Sequence, residues 1–217
     1  MAQWRLYDYA ASANCYKVRL ALAQLGADYV RVSIDIFAGD TLTDAYREIN
    51  PTRETPVLEL DGSAYLPESG AILTYVAQGT PLLPDDRWLR AQIVRWLLFE
   101  QTAVMSTMGG LRFRLLTGRL TIEDAEAVRR RDAGLQALRL LDGHLSQTPF
   151  LVGDRYTIAD IAVYGYTHVA ADAGIDTEPF PAFTGWVDRI TDQPGYVNDL
   201  APYPPNASRR AGQSVYG

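Results

Sequence analysis

The chain has 217 residues, 47% of them hydrophobic and 21% charged, the balance of a globular protein with room for one large domain or two small ones. Its formal net charge of -6 argues against nucleic acid or an anionic membrane as partner, and no run approaches the roughly 18 apolar residues of a spanning helix. A single cysteine, Cys15, excludes an internal disulfide and a Cys-x-x-Cys redox pair, and with only His144 and His168 beside it no metal site is expected.

The opening MAQWRLYDY lacks a basic-then-apolar secretory pattern, so a cytoplasmic protein is expected. WRLYD reads as a strand, NCYKVRLALAQLG as a helix closed by Gly26, and DYVRVSI as a second strand. Val18, Leu22 and Leu25 stand at i, i+4 and i+7, which carries the helix assignment. The polar segment AGDTLTDAYREIN is expected to hold a short irregular helix.

Three unlike devices follow between Asn50 and Gln78. Thr55-Pro56 stands at the mouth of an apolar strand, where proline cannot donate to a ladder and holds the residue before it extended. Asp61-Gly62 between VLEL and SAYL is a two-residue hairpin signal. Glu68-Ser69 then opens a helix, either as a simple cap or as part of an anion site at the free N–H groups. Together they describe a sheet edge suited to a peptide with carboxylates.

A segment from Gly79 to about Arg87, with two prolines, reads as a linker (80–87) between residues 1–79 and 88–217. Beyond it the pattern is helical. WLRAQIVRWLLFEQTAVM is apolar on most faces, which predicts burial on several sides. Leu135, Leu138, Leu141 and Leu145 give an amphipathic helix running from about Ile122. Thr157 and Asp160 form a capping-box-like pair, with Tyr156 and Ile161 as its staple, so Asp160 is read as structural. A helix over PAFTGWVDRITDQPG stops at Pro194-Gly195, and the Pro/Gly-rich tail is expected to wrap the surface.

LYDYAASANCYKVRLALAQLG, NPTRETPVLELDG, PESGAILTYVA, TIADIAVYGYTHVAADAG and PAFTGWVDRITDQPG, in this order, resemble the soluble bacterial glutathione S-transferases over nearly the whole chain. The resemblance implies an α/β thioredoxin-like N-terminal domain, an all-α helical-bundle C-terminal domain, a homodimer, and glutathione as co-substrate. It implies detoxification chemistry, in which the glutathione thiolate is conjugated to a hydrophobic electrophilic small molecule. Isomerase, peroxidase, dehalogenase and non-catalytic binding functions share the fold and remain open.

By that resemblance Ser12 is the hydroxyl facing the glutathione sulfur. A free thiol near pKa 8.5 is under about 10% ionised at neutral pH, and lowering it by two units takes roughly 2.7 kcal/mol. A hydroxyl donor plus a helix N-terminus can supply that. Cys15 is open between sulfur chemistry and a small buried core residue. Tyr7 is expected in the core. Thr55, with Pro56, offers its backbone to the cysteinyl unit; Glu68 and Ser69 hold the γ-glutamyl end, and Arg53 the glycine carboxylate. Glu54 places a negative charge near an anionic ligand; Lys17 and Arg47 are open between compensating for it and being solvated surface charges. Tyr9, Met105, Met108, Arg112 and Phe113, with Leu111, are expected in a second-substrate pocket between the halves, or else in the interdomain core.

Overall fold

The computed structural model describes residues 4–208. Strand β1 (Trp4–Asp8) lies parallel to β2 (Tyr29–Ser33) across helix α1 (Ala13–Gln24), and antiparallel to β3 (Val57–Leu60), which pairs with β4 (Ala64–Pro67) in sheet order β2-β1-β3-β4. Asp61, at φ 54°, and Gly62, at φ 74°, make the hairpin turn that the dipeptide predicts. The polar segment folds as a 3₁₀ turn (Asp40–Leu42) and α2 (Asp44–Ile49), capped by Thr43. Helix α3 (Ser69–Val76) closes this thioredoxin-like half.

The second half is helical: α4 (Arg87–Phe99), a π-helical segment (Glu100–Gly109), α5 (Gly110–Leu116), α6 (Ala125–Leu145), α7 (Ile158–Thr167) and α8 (Pro181–Thr191). Asp86 caps α4 by accepting from the N–H groups of Trp88 and Leu89. The expectation that α4 is buried on several sides is overturned. Only Ile93 and Trp96 are buried, while Trp88, Val94 and Leu98 are 67%, 51% and 61% exposed. Helix α6 begins three residues later than the pattern suggests, after a turn in which Asp124 accepts from the Thr121 N–H, and buries Leu138, Leu141 and Leu145.

At α7 the capping box forms as read. The Thr157 hydroxyl accepts from the helix, and the Asp160 carboxylate accepts from the Thr157 N–H at 2.9 Å. That carboxylate is fully buried and also takes the Leu151 N–H and the Trp186 indole, so it ties the 150s loop and α8 to α7. The tail does more than wrap the surface. Ala201 N–H donates to Ala10 O, buried Arg19 pairs with Asp8 and Asp199, and Ala207 is buried.

Candidate functional site

A cavity of about 430 Å³ opens where the β1–α1 loop, the 53–55 loop and the start of α3 face the π-helical segment. Its polar side is built by local chemistry. Ser12 is the N-cap of α1: its Oγ accepts from the Cys15 N–H at 3.3 Å. An oxygen used as acceptor still carries its own proton, so the same hydroxyl caps the helix and keeps an O–H to donate. Opposite, the Thr55-Pro56 peptide is cis, and the loop before it is braced by Asn50 Nδ2 and the Tyr46 hydroxyl, both donating to Glu54 O.

Arg53 and Glu68 hold φ at 59° and 70°, left-handed values that non-glycine residues adopt only where the surroundings impose them. Both line the cavity, and a recess between Glu54, Thr55, Pro56, Glu68 and Ser69 continues from it. Glu68 precedes the first helical residue of α3 without capping it by its side chain, so the simple-cap reading of Glu68-Ser69 does not describe this end. Ser69 is buried at the first helical position, beside N–H groups that face no side-chain acceptor at the cap. Glu54 also borders the cavity; partial burial and the nearby Glu68 charge push its pKa above the usual carboxylate value.

The apolar side comes from the helical half. Within a π-helix, whose hydrogen bonds span i to i+5, residues four apart stack more nearly in line than in an α-helix. Gln101, Met105 and Gly109 thus share the wall. Tyr9 and Phe113 complete it, with Phe113 stacked on Phe37 at 6.1 Å.

Three expected pocket residues stand elsewhere. Met108 is 1% exposed in the core, against the Gly134 backbone of α6. Arg112, 4% exposed, pairs with Asp172 at 2.9 Å, reaches Ala11 O and lies over the Tyr203 ring, so its charge is spent on joining three segments. Leu111 is likewise core. Cys15 lies beneath the cavity floor, fully buried; desolvation and the nearby Asp8 charge lift its thiol to about 11, against the Tyr9 N–H that donates to its sulfur. Tyr7 is in the core, its hydroxyl donating to Glu59 at 2.8 Å. Lys17 is no solvated charge but is fully buried and paired with Glu100, and Arg47 pairs with Asp44 on the surface.

Residues 6–83 match the family model for the glutathione S-transferase N-terminal domain, and residues 98–194 that for its C-terminal domain. The chain belongs to the glutathione S-transferase family. Among solved structures it is similar to a glutathione S-transferase from Pseudomonas fluorescens, at 39% identity and TM-score 0.88 over 91% of this chain and 99% of that one. It is also similar to Ure2p in complex with glutathione, at 26% identity and TM-score 0.81 over 91% of this chain and 94% of that one. The disulfide-bond oxidoreductase YfcG of Escherichia coli is 29% identical, covering 86% of this chain and 89% of its own. As in other glutathione S-transferases a thioredoxin-like half precedes a helical one.

Asn14 and Tyr203 also line the cavity and escaped the sequence reading. Asn14 sits two residues from Ser12 in the same helical turn, a spacing that a closer reading of the helix start would have flagged. Tyr203 arrives from a segment 194 positions after Tyr9, and only an aromatic residue between two prolines hints at it. Among the described residues no group of three or more His, Cys, Asp or Glu is placed to hold a metal, and no helix is long and apolar enough to cross a membrane.

Proposed function

We propose that the chain is a glutathione transferase conjugating the glutathione thiolate to a hydrophobic, electrophilic small molecule. The observation that carries this reading is one cavity joining a hydroxyl at a helix N-terminus, a polar cleft sized for a peptide, and an apolar wall. Glutathione as co-substrate also draws on the similar structure that holds it. In this reading Ser12 donates to the sulfur and the α1 N-terminus favours its negative charge. Thr55 pairs its backbone with the cysteinyl unit, Pro56 keeping that segment extended. Ser69 and the α3 N–H groups hold the γ-glutamyl carboxylate, Glu68 its ammonium, and Arg53 the glycine carboxylate. Tyr9, Met105 and Phe113 receive the electrophile, so that catalysis comes from thiolate stabilisation and proximity. Residues 1–79 then form the glutathione-binding domain, 80–87 the linker and 88–217 the helical domain.

The exposed apolar residues Val94 and Leu98 of α4 share a groove with Ala71 and Thr74 of α3, and this face is proposed as the homodimer contact. A monomer by light scattering at micromolar concentration would remove that part.

One observation favours a second reading, a glutathione-binding protein without turnover: Glu54 adds an acidic side chain to a cavity meant for an anion. An ultraviolet difference titration with glutathione separates the two. A saturable thiolate band at neutral pH, lost in Ser12→Ala with binding retained, supports the transferase. Binding without the band supports the second reading, and no binding at millimolar glutathione overturns both.

A further inference from the structure

Two amides face the cavity from opposite sides, Asn14 in the first turn of α1 and Gln101 in the π-helical segment. Behind them runs a chain of buried charge. The Lys17 ammonium donates to Asn14 Oδ1 at 2.8 Å and to Glu100 Oε1 at 2.7 Å, and Glu100 Oε2 accepts from Gln101 Nε2 at 2.9 Å. The side chains of Lys17 and Glu100 are 0% and 2% exposed. The Lys17 stem runs over Gly165 of α7, where a Cβ would meet Lys17 Cγ at 2.5 Å, and its ammonium lies 4.6 Å from the centre of the Tyr166 ring.

Hydrogen-bond polarity settles how the amides stand. An ammonium only donates and a carboxylate only accepts. Asn14 therefore turns its oxygen inward to Lys17 and keeps its N–H groups for something else. Gln101 turns its nitrogen inward to Glu100 and keeps its carbonyl. A buried ion pair is commonly no more stabilising than apolar residues of the same volume, so stability alone does not account for this one.

We propose that the Lys17–Glu100 pair is a positioning device, holding Asn14 as an N–H donor beside Ser12 and Gln101 as a carbonyl acceptor beside Glu68. The inference rests on the glutathione reading: the donor side meets the anionic sulfur, the acceptor side the ligand ammonium. Because Lys17 belongs to α1 and Glu100 to the helical half, both polarities depend on the two halves being docked.

The test uses the neutral double substitution Lys17→Met with Glu100→Gln, and separately Asn14→Ala, in the full chain. The thiolate band of bound glutathione is titrated against pH, and affinity is compared for glutathione and its des-amino analogue. The double variant is expected to raise the thiolate midpoint by about one unit, a tenfold loss of thiolate at a fixed lower pH. Its preference for glutathione over the des-amino analogue should shrink several-fold. Asn14→Ala should raise the midpoint alike and add little on top of the double variant. A folded double variant with the parent's midpoint and preference overturns the proposal and leaves the pair as interdomain packing. Should the double variant fail to fold, an unchanged midpoint in Asn14→Ala overturns it instead. No binding in the parent protein ends the glutathione reading, and this inference with it.

Discussion

Replacing Asp160 by alanine removes the acceptor for three buried N–H donors, those of Leu151, Thr157 and the Trp186 indole, each at 2.9 Å. A stranded buried donor costs about 1–3 kcal/mol, and the three share one site, so about 4 kcal/mol is expected rather than the full sum. For a chain of this length 1 kcal/mol moves Tm by about 2–4 °C, which places the fall at roughly 8–16 °C. The pH dependence is sharper than the magnitude. Burial lifts the Asp160 carboxyl from 3.8 to about 6, outweighing the donors that favour the ionised form. A folded pKa above the unfolded one means that the native state holds the proton longer. The stability gained is full below about 4 and lost as pH rises through about 6. Asp160→Ala lacks that contribution, so its deficit should be larger at pH 5 than at pH 7.5, by about 1.4 kcal/mol, since only the part of the shift above pH 5 is sampled. Urea unfolding of both proteins at the two pH values, at constant ionic strength, measures it. An unchanged midpoint at pH 5 would refute the cap. A deficit that grows with pH would show that the donors, not burial, govern the carboxyl.

Three further outcomes are expected. Glu54→Gln removes a partly exposed like charge from the ligand cleft and should tighten glutathione about threefold at pH 7 and low salt. Because its pKa is raised, the parent should approach the variant on mild acidification; equal or weaker binding by the variant in calorimetry speaks against the charge placement. Cys15, buried with a thiol lifted to about 11, should resist iodoacetamide in the native protein at pH 7.5 and react after unfolding, so rapid stoichiometric labelling of the native state contradicts its position under the floor. Gly195→Ala sets a side chain at φ 72° with its Cβ 2.9 Å from the Gln24 Cα. A loss of at least about 2 kcal/mol, or roughly 4–8 °C in Tm, should follow, and a variant as stable as the parent would count against the close approach of this turn to α1.

What the sequence made legible was local. Asp61-Gly62 dictates its hairpin because the turn needs left-handed backbone there, and Thr157 with Asp160 dictates a helix start because their side chains reach N–H groups within three residues. The plan of two successive halves follows from such signals taken in order. Ser12, Arg53, Thr55, Glu68, Met105 and Phe113 line one cavity. The misses share a cause: the partner lies far along the chain. Lys17 reads as a surface charge until Glu100, 83 residues on, is seen to bury it. Arg112 reads as a cavity residue until Asp172, 60 residues on, claims its guanidinium.

The apolar run of α4 misled in the opposite direction. Leucine and valine report that a face must be covered, not by which molecule, and periodicity cannot separate a core inside one chain from a contact between two. Trp88, Val94 and Leu98 remain exposed, and the groove holding Val94 and Leu98 also holds Glu68, Glu100 and Gln101. A second copy seated there would stand against the proposed ammonium end of the ligand and the outer end of the buried charge chain. Assembly and ligand polarity would then share one wall. Val94→Asp should weaken both the dimer and glutathione affinity, although Val94 itself does not line the cavity; a monomeric variant with parental affinity would separate the two surfaces.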